Sequence, residues 1–212
     1  MTRRKLVGVL LVAALVAAGA ATAFVAVRDG GRAGASDDNP VMAAPTTRAT
    51  STTARSTTTL PPLPVPEPPP ADPYEDVPIV PVGEIIIPKI GLAHTVYEGV
   101  WLTVINVGPG HWPGTALPGE RGNTVFPGHR TTYSRPFHDL DKLVPGDQVV
   151  FNMGDRDEVY EVRETLIVQP TDLWVLDQTE AKTFTLIACH PKGSAAQRIV
   201  VKGDHVATIP KR

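Results

Sequence analysis

Seven short runs rich in valine, isoleucine, threonine and aromatic residues occupy residues 79–212. Each run is bounded by glycine, proline or aspartate, which is the pattern of strands that end in turns. The runs are GEIIIPKI, HTVYEGV, NTVFPG, DQVVFNM, EVYEVRETLIV, TFTLIAC and QRIVVKG. Convincing helical patterns are short, as in RPFHDLDKL. The pattern predicts an all-β domain, a closed barrel or a sandwich, rather than a parallel α/β sheet.

The run EVYEVRETLIV shows near-alternation of apolar and polar residues. Tyr160, Val162, Leu166 and Val168 are spaced by even numbers of residues, so in a regular strand they share one face. Glu164 is the charged exception at the same spacing. This pattern predicts an antiparallel strand with one face on the core and the other in water.

Residues 28–78 differ in composition from the rest of the chain. They hold 11 of the chain's 22 prolines, together with threonine-rich stretches such as TTRATSTTARSTTT. Such a composition offers too little apolar surface to offset the conformational entropy lost on ordering. We therefore expect residues 28–78 to be a disordered linker. Its proline-rich half favours extended polyproline II.

An uncharged stretch, residues 6–27, precedes this linker. Its 22 residues could cross the roughly 30 Å hydrocarbon core of a bilayer as a helix. Arg3, Arg4 and Lys5 precede it, which predicts that residues 1–5 are cytoplasmic and that the rest of the chain lies outside. A cleaved signal peptide is the alternative, because the small residues of AGAATA fit a cleavage site. Both interpretations make residues 79–212 an extracytoplasmic domain.

The composition of residues 79–212 limits the partners of this domain. The region is long enough for one domain with its own core. It carries 13 lysines and arginines against 15 aspartates and glutamates, with no basic block. This balance argues against nucleic acid as a partner. Because no three potential ligand residues stand at metal-binding spacing, we expect neither a metal nor another cofactor.

Cys189 is the only cysteine in the chain. Extracytoplasmic domains normally use cysteines in pairs, and a single cysteine cannot form an internal disulfide. Cys189 is therefore a free thiol, a buried spectator or an intermolecular crosslink. A reactive thiol needs a neighbouring base or cation to supply thiolate, and donors that hold an oxyanion.

Two residues are candidate partners for such a thiol. His129 follows the strand-like NTVF and a Pro-Gly pair, where a side chain at a strand's end can face a groove. Arg198 lies nine residues after Cys189, so two neighbouring strands flanking the intervening loop would bring its guanidinium near the sulfur. The alternatives are a structural histidine and a surface arginine.

Two further histidines are weaker candidates. His111 lies on the glycine- and proline-rich loop GPGHWPGTALPGE. His190 directly follows the thiol, and adjacent side chains of an extended segment point to opposite faces. We therefore expect His190 to be a poor general base.

Several blocks of the sequence resemble those of sortases, the cysteine transpeptidases of Gram-positive cell surfaces. TLIAC resembles the T-L-x-T-C signature, and GNTVFPGHRTTYSRPFHDLDKLVPGD looks like the block around the catalytic histidine. Eight residues separate the cysteine from the arginine, as in that family. CHPKGSAAQRIVV and GHWPGTALPGE look most like class E sortases, with class D next. The resemblance covers roughly residues 80–203.

The resemblance implies a fold and a set of catalytic residues. The family fold is an eight-stranded β-barrel with the active site at the end of a groove. Cys189 would be the nucleophile and His129 the general acid and base. Arg198 would hold the oxyanion or position the substrate.

Three further residues are implied as substrate or oxyanion contacts, namely Thr185, Ala188 and His111. Ala188 departs from the family, which has a threonine there whose hydroxyl is thought to orient the substrate or the oxyanion. The backbone N–H of Ala188 could still donate, but the side-chain donor is lost. Loss of one such donor can cost about 10²-fold in rate.

The resemblance also implies a reaction and its partners. The substrates would be secreted proteins with a C-terminal sorting signal, LPxTG-like or, as is common in class E, LAxTG-like. Cleavage between Thr and Gly would leave the acyl group on the thiol, for transfer to an amine of the peptidoglycan cross-bridge or its lipid-linked precursor. Residues 6–27 would anchor this enzyme in the membrane, with the catalytic domain at the cell surface.

Other interpretations remain. L,D-transpeptidases carry S-H-G-C, which CHPK does not match, and papain-like peptidases have cysteine before histidine in the chain. A stalked extracytoplasmic binding domain with a decayed sortase site is the non-enzymatic alternative, supported by Ala188. Asp72-Pro73-Tyr74 resembles the lid of pilin-polymerising sortases, but its proline-rich surroundings favour a linker.

Overall fold

The structure, a computed structural model, describes residues 60–211. The predicted cytoplasmic segment (1–5), membrane helix (6–27) and first part of the linker (28–59) lie outside the described residues. Within residues 60–211, no helix has the length and apolar character needed to cross a membrane.

The described residues contain eight strands and four helical turns. The strands are β1 (Pro81–Ile87), β2 (Leu92–Glu98), β3 (Gly110–His111), β4 (Gly122–Pro127), β5 (Gln148–Asn152), β6 (Arg156–Val168), β7 (Lys182–His190) and β8 (Gln197–Pro210). One turn of α-helix, α1, spans Leu102–Ile105, and 3₁₀ turns span Pro88–Ile90, Leu140–Lys142 and Leu173–Leu176. The prediction of an all-β domain with short helices is confirmed. Only the two-residue β3 has no counterpart among the predicted runs.

The eight strands form one sheet in the order β3-β2-β1-β5-β6-β8-β7-β4. Most neighbours are antiparallel, whereas β4 pairs with β7 in parallel and β3 with β2 in parallel. The two ends of the sheet approach each other where the N–H of Trp112 donates to the carbonyl of Val125 at 2.8 Å. The sheet therefore curls into a nearly closed barrel, which confirms the predicted barrel.

Alternate residues of the strands fill the barrel interior. Phe126 stacks on Phe151, with ring centroids 5.0 Å apart. Phe184 and Tyr160 meet edge to face, at 5.6 Å between centroids. These four rings are fully buried, and burial of side chains this large is the main contribution that a core makes to stability.

A second apolar cluster lies on the outer face of β4, β7 and β8. Its buried members are Val125, Val168, Val175, Leu176, Ile187 and Val200. Neighbouring residues of the same strands, Leu186 and Ala188 among them, belong to the interior cluster instead. Because side chains alternate along a strand, Ile187 and Cys189 share the outer face of β7. Both residues line the same cavity.

The prediction that the apolar residues of β6 share one face is wrong. Tyr160 and Val162 pack in the interior cluster, whereas Val168 and Leu166 pack in the outer one. The register of β6 against β8 shifts between Val162 and Glu164. An extra residue at such a bulge reverses the inward and outward alternation, so the two halves of β6 face different cores.

The last part of the predicted linker lies on the domain. Residues 60–78 contain no helix or strand, in agreement with the proline-rich composition. However, the N–H of Glu67 donates to the carbonyl of Pro113 at 2.9 Å, and the N–H of Leu102 donates to the carbonyl of Pro73 at 2.7 Å. Because prolines hold the chain extended before it docks, ordering this segment costs less entropy than ordering an ordinary linker. Packing against the domain therefore begins well before residue 79.

Candidate active site

A cavity of about 210 Å³ opens at one end of β4 and β7. Its lining includes all three residues expected at a catalytic centre: Cys189, His129 and Arg198. The rest of the lining is mostly apolar and comprises Leu102, Ile105, Pro127, Gly128, Ile187 and Ala188. The barrel thus brings together side chains that are 60 and nine residues apart in the sequence.

Strand pairing fixes the position of Arg198 relative to Cys189. The two residues are directly opposite in the antiparallel pair of β7 and β8. Residues opposite each other point to the same face of a sheet, so both side chains lie on the outer face. Nη1 of Arg198 donates to the carbonyl oxygens of Ala195 (2.9 Å) and Gln197 (3.0 Å). These bonds hold the guanidinium at the loop between the two strands.

The parallel pair of β4 and β7 places His129 at the same end of the sheet. The paired positions run from Gly122 with Lys182 to Pro127 with Ile187, and the N–H of Gly128 donates to the carbonyl of Ile187 at 2.9 Å. His129 follows immediately, at the level that Cys189 occupies on β7. The carboxyl ends of the two strands thus deliver the imidazole and the thiol to one cavity.

Glycine is required just before this histidine. A Cβ on Gly128 would lie 2.8 Å from two ring carbons of Phe137, which is fully buried. Phe137 is packed within the interior cluster, so displacing its ring would be energetically costly. The Pro-Gly pair of the sequence therefore lets the chain turn closely over the core as it enters the site.

Two neighbours contact the imidazole. Nε2 of His129 donates to Oδ1 of Asn106 at 2.7 Å, which leaves Nδ1 free to accept a proton. The ring of Tyr133 stacks on it, with centroids 4.9 Å apart. Burial lowers the pKa of His129 below its usual range, because the charged imidazolium loses hydration there. The neutral imidazole is consequently the favoured form near neutral pH.

Arg130 connects the histidine loop to the cysteine strand. Its side chain is 2% exposed. Nη1 donates to the carbonyl of Cys189 at 3.3 Å and to Nδ1 of His190 at 3.1 Å, and Nη2 pairs with Asp141 at 2.9 Å. The residue after the imidazole thus bonds to the backbone of the residue that bears the thiol.

The loop between β7 and β8 is also tied to the histidine side of the site. Nζ of Lys192 lies 3.1 Å from Asp139 and 3.4 Å from Asp141. Hydrogen bonds from Lys142 and Lys192 lower the pKa of Asp139, so this carboxylate is charged at neutral pH. Together with Arg130, these ion pairs link the β7–β8 loop to the histidine side of the cavity.

Other residues predicted at the site lie elsewhere. Thr185 is fully buried, and its hydroxyl donates to Oδ1 of Asn123 at 2.8 Å. Nδ1 of His111 lies 2.9 Å from Glu98, and its Nε2 lies 3.0 Å from the carbonyl of Ala116. Neither Thr185 nor His111 lines the cavity.

Ala188 lines the cavity but packs with the interior cluster, at 2% exposure. His190 lies outside the cavity lining, next to Arg130, as expected from strand alternation.

Sequence reasoning missed three residues of the site: Asn106, Arg130 and Tyr133. Asn106 caps α1, a helix too short to give a periodic signal. Arg130 and Tyr133 lie in the same block as His129, but nothing in their spacing distinguishes them from surface residues. Among residues 60–211, no group of three His, Cys, Asp or Glu side chains could hold a metal ion.

Comparison with known proteins identifies relatives of this domain. Residues 85–206 match the family described as "Sortase domain". Sortase D of Bacillus subtilis is 31% identical over 128 residues, which cover 58% of this chain and 63% of that protein. Sortase SrtE1 of Streptomyces coelicolor is 30% identical over 141 residues, which cover 59% of this chain and 40% of that protein. The chain thus spans less than two thirds of the length of either relative.

A solved structure is also similar to this chain. Sortase E1 from Streptomyces coelicolor, solved with a tripeptide in its active site, aligns with a TM-score of 0.58 and 27% identity. The alignment covers 62% of this chain and 91% of that one.

Proposed function

The chain belongs to the sortase family, and we propose that it is a membrane-anchored cysteine transpeptidase. Its substrate would be a sorting signal of the LAxTG or LPxTG type, cleaved between Thr and Gly. The observation that carries the proposal is the convergence of Cys189, His129 and Arg198 on one cavity. The expected anchor, residues 6–27, would hold this cavity on the outer side of the membrane.

The first half of the reaction forms an acyl-enzyme. Nδ1 of His129 takes the proton of the Cys189 thiol, and Sγ attacks the carbonyl carbon of the threonine. The C–N bond then breaks, and His129 returns the proton to the departing glycine amine. The products are a thioester on Cys189 and a peptide with a free N-terminus.

The second half transfers the acyl group. An amine enters from the His129 side, gives a proton to the imidazole and attacks the thioester carbonyl. The C–S bond breaks, Sγ regains a proton, and an amide joins the substrate to the acceptor. We propose a cell-wall amine as this acceptor, in line with the family.

Arg198 is proposed to stabilise the oxyanion of both tetrahedral intermediates. A guanidinium stays charged at any working pH, so it does not compete in the proton transfers. Its side chain shares the outer face of the sheet with the thiol, and loop carbonyls hold Nη1. Such preorganised positive charge is among the largest contributions to catalysis of acyl transfer.

Product analysis tests the proposal. The full-length chain, purified in detergent, is incubated with LAxTG and LPxTG peptides with and without diglycine. We expect cleavage at Thr–Gly and an amide product that requires diglycine. Cys189→Ala and His129→Gln should abolish both products, whereas His94→Gln, on β2 outside the cavity, should not. Cleavage at another bond, or activity in Cys189→Ala, would contradict the proposal.

A further inference from the structure

Three cavities adjoin one another at the candidate active site. The central one holds the thiol and the imidazole. A second cavity, of about 200 Å³, shares Pro127, Ile187 and Arg198 with it. A third is lined by His129, Cys189 and the β7–β8 loop. The site therefore continues in two directions, one past Arg198 and one past His129.

The chemistry assigns the two directions. His129 gives its proton to the departing amine, so the leaving group lies toward the third cavity. The part of the substrate that stays on the thiol then lies toward the second cavity, here called the acyl-side cavity. Its walls include Val168, Leu173, Val175 and Val200, which suit an aliphatic side chain of the peptide.

One wall of the acyl-side cavity comes from outside the barrel. Pro69 lines it, together with Trp112. Pro69 belongs to the segment 60–75, here called the strap, which crosses the outer face without forming a helix or strand. A residue from the predicted linker thus borders the site.

Side-chain donors of the domain bond to backbone carbonyls along the strap. Arg121 donates to the carbonyl of Pro61, and the hydroxyl of Thr103 donates to the carbonyl of Glu75 at 3.0 Å. Between these ends, Nε1 of Trp112 donates to the carbonyl of Glu67 at 2.8 Å. Trp112 therefore touches both the strap and the interior of the acyl-side cavity.

The backbone of the strap packs directly against Gly114. A Cβ there would lie 2.2 Å from the carbonyl oxygen of Val65 and 2.9 Å from the N–H nitrogen of Glu67. Its φ of +74° is also one that other residues rarely adopt. Any side chain at this position must push the strap away.

We propose that the strap is a wall of the substrate groove and that Pro69 and Trp112 select the aliphatic side chain bound upstream of the scissile bond. This inference rests on the proposed function for the direction of the peptide. The occupant is an aliphatic residue of the sorting signal. A larger ring would meet Pro69, and a charged group would lose water without gaining a partner on the valine-rich wall.

Binding to the inactive full-length Cys189→Ala chain tests the inference without requiring catalysis. Fluorescent LAxTG peptides carry leucine, alanine, phenylalanine or aspartate at the first position, and anisotropy gives each Kd. We expect leucine to bind at least about 10-fold more tightly than aspartate and phenylalanine, as differences in pocket fit typically allow.

Two further substitutions in the Cys189→Ala chain change the wall that the strap contributes to the acyl-side cavity. Gly114→Ala should displace the strap and reduce the leucine preference to within about 3-fold, since the fitted wall is lost. Pro69→Ala, at an exposed position, should leave the fold intact and selectively improve phenylalanine binding. Gly146→Ala is the matched control, because its φ of +91° is also positive, while nothing lies within 4 Å of the added Cβ.

The outcomes separate the inference from the proposed function. Selectivity that is lost in Gly114→Ala and kept in Gly146→Ala supports the strap as a wall. Unchanged selectivity in Gly114→Ala and Pro69→Ala would overturn it, whereas no binding of any peptide would contradict both it and the proposed substrate. Strap-dependent selectivity in the Cys189→Ala background, together with a wild-type chain that never forms an acyl-enzyme on Cys189, would contradict only the proposed activity.

Discussion

Arg198 stands directly across from Cys189 in the antiparallel pair of β7 and β8. The β-sheet register, more than the intervening loop, therefore sets the separation of the guanidinium from the thiol. Eight residues separate Cys189 from Arg198 in the sequence. Two of them, His190 and Gln197, form the next pair of the sheet, and the other six form the turn between β7 and β8.

Replacement of Arg198 by lysine should lower kcat/KM by about 10²-fold or more. A lysine keeps the charge, but it has a single nitrogen, whereas the guanidinium can bond the loop carbonyls through Nη1 while another nitrogen faces the oxyanion. Peptide cleavage kinetics measure the loss, and Arg163→Lys, at a half-exposed site on β6, serves as the control. Near wild-type kinetics in Arg198→Lys would show that charge alone suffices there.

The pH dependence of kcat/KM should have an acidic limb below the ordinary histidine pKa. Burial lowers the pKa of His129, and protonation of its free nitrogen removes the base that accepts the thiol proton. Activity is therefore retained down to the lowered pKa and is lost as the pH falls through it.

Tyr133→Ala should shift this acidic limb upward, because removal of the stacked ring exposes the imidazole to water. Tyr133→Phe keeps the ring and should leave the limb where it is in the wild type. Rate profiles from pH 4 to 8 compare the three proteins. Coincident limbs in the alanine and phenylalanine variants would contradict desolvation by Tyr133 as a cause.

Arg130→Met should destabilise the domain and lower activity together. The buried guanidinium bonds the carbonyl of Cys189, and an acceptor left without its donor costs about 1–3 kcal/mol. Urea unfolding measures the stability, and the rate of Cys189 alkylation by iodoacetamide reports on the thiol's surroundings. Asp141→Asn, at the half-exposed end of the same ion pair, should have a smaller effect. Equal effects of the two substitutions would indicate that the ion pair, and not the bond to Cys189, matters.

Thr185→Val should lower stability without changing the kinetics of the folded fraction. Its hydroxyl is fully buried on Asn123, away from the cavity, so its loss costs about 1–3 kcal/mol. Thr185→Ser retains the donor and should recover most of the stability. A fall in kcat/KM for folded Thr185→Val would instead restore the residue to the site, as its place in TLIAC predicts.

Seven of the eight strands could be predicted because each is a β-rich run with a turn signal at both ends. The missing one, β3, has two residues, and no periodicity can reveal so short an element. The faces of β6 could not be predicted either. A bulge is set by pairing with β8, which the sequence of β6 alone does not contain.

Some residues of the candidate site could likewise be predicted from the sequence, whereas others could not. Cys189, His129 and Arg198 are recognisable because they end or begin strands within distinctive blocks of sequence. Asn106 reaches the imidazole from 23 residues away through the tertiary fold, so no local pattern points to it. The strap illustrates the same limit, because its proline-rich composition indicates disorder while the receiving surface at Gly114 and Trp112 lies elsewhere in the chain.

The most direct test of the central claim is intact mass spectrometry of the full-length chain after brief exposure to LAxTG and LPxTG peptides. The account predicts an added mass equal to the peptide up to threonine, located on Cys189 by digestion and released as an amide by diglycine. Cys189→Ala should show no adduct. A folded wild-type chain that forms no adduct with either peptide would contradict the account and favour a stalked binding domain that has lost sortase activity.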